Sequence, residues 1–414
     1  YLPVIVRTAE AGRIEPSGLT YVGAFRLPGP DDAGWAWGGT AMTYYPHGDP
    51  DGPDDGYPGS IFGTGHEHTQ YVSEISIPVP IISPAKDVET LNTATTLQGF
   101  ANIRDDLYHR SYWEMPRAGL AYLPKQGGQT TDKLHFCWAI HLQEGDTGPT
   151  HGWCDLDLAH PHSVGVWRLG GLWNYVTSDY LFDIPNAWAD THVQGMYLAT
   201  GRYRDGGQGA EGPSIIAYAP WQDGSPPAPR SSLTAKPLLL YGNVYEENPA
   251  AMVNYHHSDE WSGAAWLTAG NNSAVVFVGT KGQGKCWYGH SDGTVWEPPY
   301  PDPPPPGERG WWSTRFVPHF LFYDPADLAA VSRGEMAPHE PQPYATSAAS
   351  NSQRMGAQGS ARDASSASSA TTSVRRTRCS WAKPAAMTSD SDATKGPRRS
   401  SGLSSTGRFL RACR

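Results

Sequence analysis

An all-β chain is what the sequence predicts, on three observations. The 46 glycines and 37 prolines among 414 residues interrupt every stretch long enough for a sustained helix and favour short strands joined by turns. A loose three-strand pattern recurs along the chain, the self-similarity that marks a modular architecture. Its strands follow one another with turn signals and no helical crossover, which points to antiparallel sheets repeated as units.

The chain opens on YLPVIVRTAEAG, which lacks the basic, apolar and small-residue regions of an export signal. Without an initiating Met, the expectation is a secreted or periplasmic protein whose signal has been removed. Each unit then begins with a strand of small residues: GGTAMTYYP, AGLAYLP or GAAWLTAG. A strongly apolar strand follows, SIFGTGH, LHFCWAIH, MYLATGR or AVVFVGTK. A third, alternating strand closes the unit: YVSEISIP, WCDLDLAHP, SIIAYAPW or HFLFYDPADL.

Equivalent positions lie 75 residues apart from His66 to His141, 61 further to Arg202 and 79 further to Lys281. Such uneven spacing suits the blades of a β-propeller, whose loops lengthen on the faces without disturbing the radial packing. A β-sandwich would show fewer self-similar units, and a β-helix much shorter ones. The prediction is a β-propeller domain over residues 1–345 with five blades, six and seven being the other counts the pattern allows. Fifteen of the 16 tryptophans precede residue 346, most of them expected between sheets and a minority stacked on sugars.

Cys137 and Cys154 lie on the two strands of one predicted hairpin, where a disulfide is geometrically possible and would suit an exported protein. The segment EPPYPDPPPPG, 297–307, has too many prolines to join a ladder and is expected as a polyproline-II loop over one face. Residues 346–414 form a tail with 16 Ser, 12 Lys/Arg and 3 Asp/Glu. That composition buries too little apolar surface to offset ordering entropy, so disorder is expected. Its onset in what reads as mid-unit predicts an out-of-frame or aberrant terminus in place of the closing strands of the last blade.

Ahead of the tail the chain holds 19 Lys/Arg against 38 Asp/Glu. A body so acidic repels polyphosphate backbones, so nucleic acid is not an expected partner. No stretch approaches the roughly 18 consecutive apolar residues of a membrane span.

The second strand of each unit ends on a basic residue: His66, His141, Arg202 and Lys281. In a propeller these ends leave the sheets on one face near the axis, where four cations would attract an anionic ligand. The competing reading pairs each one locally with a carboxylate such as Glu67, Asp205 or Asp259. A second cluster, NYHHSDEW at 254–261, precedes a first strand and belongs to the same face. Of its adjacent histidines His257 is favoured, because Tyr255 and Asp259 share its parity in an extended chain.

One chemistry joins these groups without a cofactor. On a uronic-acid polymer, Arg202 would neutralise the carboxylate and acidify the neighbouring ring proton. His66, His141 or His257 would remove that proton, and Tyr255 would protonate the departing glycosidic oxygen. Lys281, Arg204 and Asp259 are the expected substrate-binding residues. The His/Tyr/Arg kit on this scaffold is similar to that of propeller polysaccharide lyases. A second chemistry places Zn²⁺ on His66 and His68, which share one side of the strand, with His141 or His257 as further ligand and bound water as nucleophile. That would be a hydrolase of esters, phosphoesters or lactones. Calcium on Asp and Asn oxygens is a further option.

A glycosidase would need two carboxylates across the mouth, drawn from Glu67, Glu114, Asp205, Asp259 and Glu260. RYRDGGQGAEG, 202–212, has no ensuing helix and is not a nucleotide fingerprint. No G-x-S-x-G elbow, CxxC or Walker sequence occurs. The leading expectation is therefore an exported carbohydrate-active enzyme on an acidic polysaccharide or another anionic substrate, acting as a lyase. The alternatives are the metal-dependent hydrolase and a propeller that binds glycans without chemistry.

Overall fold

The computed structural model describes residues 12–29, 34–50, 52, 57–66, 69–104, 107, 117–139, 147–205, 211–242, 250–295 and 310–348. The chain enters through β1 (Gly12–Arg13), whose partner is the last blade. The first blade orders β2 (Met42–Tyr45), β3 (Ser60–Thr64), β4 (Val72–Ser76) and β5 (Thr96–Ala101) from the axis outward. The second holds β6 (Arg117–Leu123), β7 (Lys133–Ala139), β8 (His151–Cys154) and β9 (Val164–Leu169).

In the third, β10 (Tyr180–Asp183) is followed by the short helix α1 (Asn186–His192), then β11 (Leu198–Gly201) and β12 (Ile215–Tyr218). The two-residue β13 (Ser232–Leu233) returns to run parallel to β9, and β14 (Ala235–Leu239) completes the third blade. The fourth comprises β15 (Glu260–Ala269), β16 (Asn272–Gly289) and β17 (Gly310–Tyr323), then helix α2 (Pro325–Arg333) and the outer strand β18 (Ala345–Ala348).

The described residues thus form a β-propeller of four blades, not the five expected. Four aligned strand sets were visible in the sequence, and no fifth sheet accompanies them among the described residues. The last blade has an outer strand, β18, so the expected boundary at 345/346 falls inside it. Residues 349–414 and the proline-rich 297–307 lie outside the described residues. A second correction concerns HFLFYDPADL, read as one strand. Asp324 accepts from the Ala326 N–H at 2.8 Å and Pro325 occupies the first helical position, so an N-cap ends β17 at Tyr323 and starts α2.

Apolar cores fill three of the seams. Phe62, Leu120, Phe136 and Trp138 pack between the first and second blades, Trp153, Trp167, Leu181 and Tyr218 between the second and third. Phe182, Trp261, Trp266, Phe277 and Tyr323 join the third to the fourth. Burying each such side chain contributes about 1.5–3 kcal/mol, so the tryptophans are the main wedges of the ring. The fourth seam differs, because its apolar residues form two separate clusters. The N-terminal segment clasps it: β1 runs parallel to β16, and Ala24 and Arg26 bridge to Ile81 and Thr93 of the first blade.

No disulfide joins Cys137 to Cys154; both are free and buried. Cys137 opposes His151 while Cys154 opposes Leu134, and the two thiols enter cores on opposite faces of one sheet. Being on one hairpin was not sufficient, because strand parity turns them apart.

Two histidines inside the second blade make a testable prediction. His135 and His151 are fully buried; His135 Nε2 meets Gln129 Oε1 at 2.8 Å, and His151 lies between the hydroxyls of Thr150 and Thr200 at 3.0 and 3.2 Å. Burial lowers both to about 3 from an ordinary 6.5, with Lys133 and His151 adding to the effect on His135. The folded chain keeps them neutral, whereas the unfolded chain takes up protons below its ordinary histidine pKa. Stability is therefore lost as pH falls, by about 2 kcal/mol per histidine between roughly pH 6.5 and pH 5. Urea midpoints at the two pH values check this, and a midpoint that rises on acidification would contradict it.

Candidate functional site

Strand register places the candidate residues on one face. Met42 opposes Gly63, Arg117 opposes Ala139, Tyr180 opposes Gly201 and Glu260 opposes Thr280. In the first three blades the first strand begins where the second leaves the sheet, and both ends form a mouth around the axis. His66 and Arg202 follow these second-strand ends, whereas Lys281, expected to end its strand, lies inside β16, which continues to Gly289. His141 would follow β7, but it lies outside the described residues, as do Glu67, His68 and Glu114.

Contacts between the third and fourth blades make the most developed part of the mouth. Arg204 forms an isolated bridge with Glu260, and the Trp261 N–H donates to the Tyr203 carbonyl at 2.6 Å. This pins residues 202–205 across the start of β15. The preceding loop is shaped by Asp259, which accepts from the His256 N–H at 3.2 Å, the Gly282 N–H at 2.9 Å and Lys281 Nζ at 2.5 Å. Asn254 adopts φ 58°, a left-handed conformation that Asn tolerates. Gly282 has to be glycine here, since a Cβ would stand 2.1 Å from Ser258 Oγ.

These two segments bring His257 against Asp205, with Nδ1 at 2.8 Å from Oδ2. A carboxylate accepts, so the imidazole proton sits on Nδ1 and the lone pair on Nε2. Nε2 has no protein partner among the described residues. The ring stacks on Trp311 at a centroid distance of 4.3 Å and 18°, and meets Tyr255 edge-on at 5.5 Å. The Tyr255 hydroxyl is buried beside the Asp205 carboxylate. Burial, and then the carboxylates of Asp205, Glu211 and Asp259, hold its phenol well above the usual range.

Over this site β16 and β17 stay paired past the mouth, from Thr280 and Pro318 out to Gly289 and Gly310. The arm so formed carries Trp287, Tyr288, Trp311, Trp312 and Phe316, all half-buried. Tyr288 meets Trp311 edge-on at 5.3 Å. The aromatic faces border the His257 loop.

Other predicted residues have different duties. The Arg202 side chain is 5% exposed, with Nη1 3.3 Å from Asp179 and with Nε and Nη2 donating to the carbonyls of Arg204 and Asp205. It is built into the wall, which corrects the expectation that it faces a substrate carboxylate. Asp259 and Lys281 pair with each other, and Arg204 lies 3.6 Å from Glu260. Local pairing, one of the two alternatives posed, is what Arg202, Arg204 and Lys281 show. His66 stays on the first blade, where its carbonyl accepts from Thr69 and Gln70 at 3.0 and 2.7 Å.

The sequence reading missed Glu211, Trp311 and Arg117. Glu211 is buried, accepts from the Met252 N–H at 3.0 Å and is pushed up to about 7 by burial, with Asp205 and Asp259 adding to it and the Met252 bond and His257 opposing. It stood in the quoted 202–212 stretch, but nothing there signalled its burial. Of the four histidines considered for a metal, His68 and His141 lie outside the described residues, and His257 gives Nδ1 to Asp205. Among the described residues no group of three or more His, Cys, Asp or Glu is arranged to hold an ion.

No helix among the described residues is long and apolar enough to cross a membrane. Comparison of the chain with family models, curated proteins and solved structures finds no match.

Proposed function

We propose that the chain is a carbohydrate-active enzyme that cleaves a uronate-containing polysaccharide by β-elimination, with His257 as general base. The observation that carries this reading is the Asp205–His257 pair, which fixes the imidazole with an Nε2 that has no partner among the described residues, beside an aromatic arm. Aromatic faces at a mouth suit the apolar faces of sugar rings, and a base so oriented suits removal of a carbon-bound proton.

The step balances with solvent as the acid. His257 Nε2 takes the proton from the ring carbon that bears the carboxylate, a carbon–carbon double bond forms, and the bond to the glycosidic oxygen breaks. The departing oxygen takes its proton from water at the mouth, because the Tyr255 hydroxyl is enclosed and serves to pack the His257 ring. Asp205 stabilises the imidazolium that results. The polymer would be met on export, in keeping with an acidic body that repels nucleic acid.

Mixing chelator-treated protein with a panel of polyuronates tests the reading. An absorbance rising near the ultraviolet edge marks the unsaturated product and is the expected outcome. Activity that appears only after zinc or calcium is restored, without that chromophore, would support a metal-dependent hydrolase. Binding without any product would support a glycan-binding propeller.

A further inference from the structure

Where the four inner strands begin, the axis holds a cavity of about 30 Å³ lined by Thr40, Arg117, Gly119, Tyr180, Ser262 and neighbouring residues. That volume admits a few water-sized groups. That is the scale of a carboxylate group.

We propose that this cavity is a carboxylate subsite in which Arg117 holds the acid group of the sugar while the ring lies outside at the mouth. The assignment rests on the acid-sugar reading above and supplies the cation that the buried Arg202 does not. Arg117, the first residue of β6, lies with its guanidinium 4.3 Å from the Tyr203 ring centroid. Arg204 and Arg202 approach the same ring at 4.9 and 5.3 Å. Three guanidinium groups therefore surround one phenol.

Two carboxylates answer them: Asp179 pairs with Arg202, and Glu260 with Arg204. Arg117 is engaged by the Tyr203 side chain and feels the Glu260 and Asp179 carboxylates, but no carboxylate within ion-pair distance takes it among the described residues. Among these described groups three guanidinium groups face two carboxylates, between low-dielectric walls that strengthen the pull of a cation on an anion. A guanidinium fork also matches carboxylate geometry better than an ammonium does.

The subsite is also connected to the base. Arg117 packs on Tyr203, and two residues further along the same pinned segment Asp205 grips His257. A sugar held by its carboxylate at Arg117 would carry its acidic ring proton toward the His257 side of the mouth.

Calorimetric titration of the full chain with glucuronate, glucose and inorganic sulfate tests the subsite. Glucuronate is expected to bind at least about tenfold more tightly than either comparator. Arg117→Gln should abolish that preference, Arg117→Lys should restore part of it, and His257→Gln should leave it intact. Should Arg117→Gln fail to fold, Ser262→Leu, which fills the cavity from β15, is expected to give the same loss. Equal binding of glucose, equal binding of sulfate, or a preference that survives both Arg117→Gln and Ser262→Leu would overturn the proposal. The two readings fail separately. Arg117-dependent glucuronate binding without unsaturated product from any polymer would leave the subsite and remove the lyase. Product formation with KM unchanged in Arg117→Gln would do the reverse.

Discussion

His257→Gln is expected to slow turnover of a uronate polymer by about 10²- to 10⁴-fold, the range typical of losing a positioned general base. The amide has no lone pair of comparable basicity where Nε2 stood. Folding should be little affected, since Gln retains a polar group able to reach Asp205 from a part-exposed position. Asp205→Asn should cost nearly as much. An amide can donate to Nδ1, which leaves the proton on Nε2 and presents the wrong tautomer. Initial rates on the product chromophore, with melting temperatures alongside, check both variants. Unchanged rates in His257→Gln would remove the proposed base.

The second large effect falls on stability. Arg202→Met removes the partner of Asp179, whose side chain is fully buried and whose Oδ2 otherwise accepts only the Tyr203 N–H at 3.1 Å among the bonds described. Breaking a buried ion pair from one side typically costs about 3–5 kcal/mol, and because Arg117 and Arg204 also act on Asp179 the loss is expected near the lower end of that range. The urea midpoint should fall accordingly, and Arg202→Met combined with Asp179→Leu should recover much of the loss. Because the Arg202 guanidinium belongs to the wall, KM for a uronate polymer should change little in whatever fraction remains folded. A large rise in KM with unaltered stability would return Arg202 to the substrate side.

Much of the architecture could be read from the residues alone. Small-residue first strands, apolar second strands and alternating third strands coincide with β2, β6 and β15, with β3, β7, β11 and β16, and with β4, β12 and β17, whereas WCDLDLAHP overlaps β8 only at Trp153 and Cys154 and is otherwise turn. The blade number could not be read this way, because length does not distinguish another sheet from longer loops, an arm such as that of β16 and β17, or a tail. The shared mouth was also legible, since period-two alternation and hairpin register bring equivalent strand ends to one face.

Partnership was not legible. Asp205 and His257 are 52 residues apart and meet only because residues 202–205 bridge to β15. Arg202 resembled the other strand-end cations, and what buries it is Asp179, contributed by the entry to β10. His257 meets Tyr255, yet the segment turns at Asn254 and at His257–Ser258 instead of running extended, and Asp259 goes to Lys281 and Gly282. Arg117 went unnoticed because its neighbour Tyr203 lies on another blade.

Nitrogen-15 NMR of the histidine side chains tests most directly whether His257, oriented by Asp205, presents a basic nitrogen to an acidic sugar. In its uncharged form the His257 ring should carry its proton on Nδ1 with Nε2 bare, and the Nε2 resonance should move on titration with an oligogalacturonate. A proton on Nε2 with Nδ1 bare, or a resonance indifferent to the oligomer, would contradict the account.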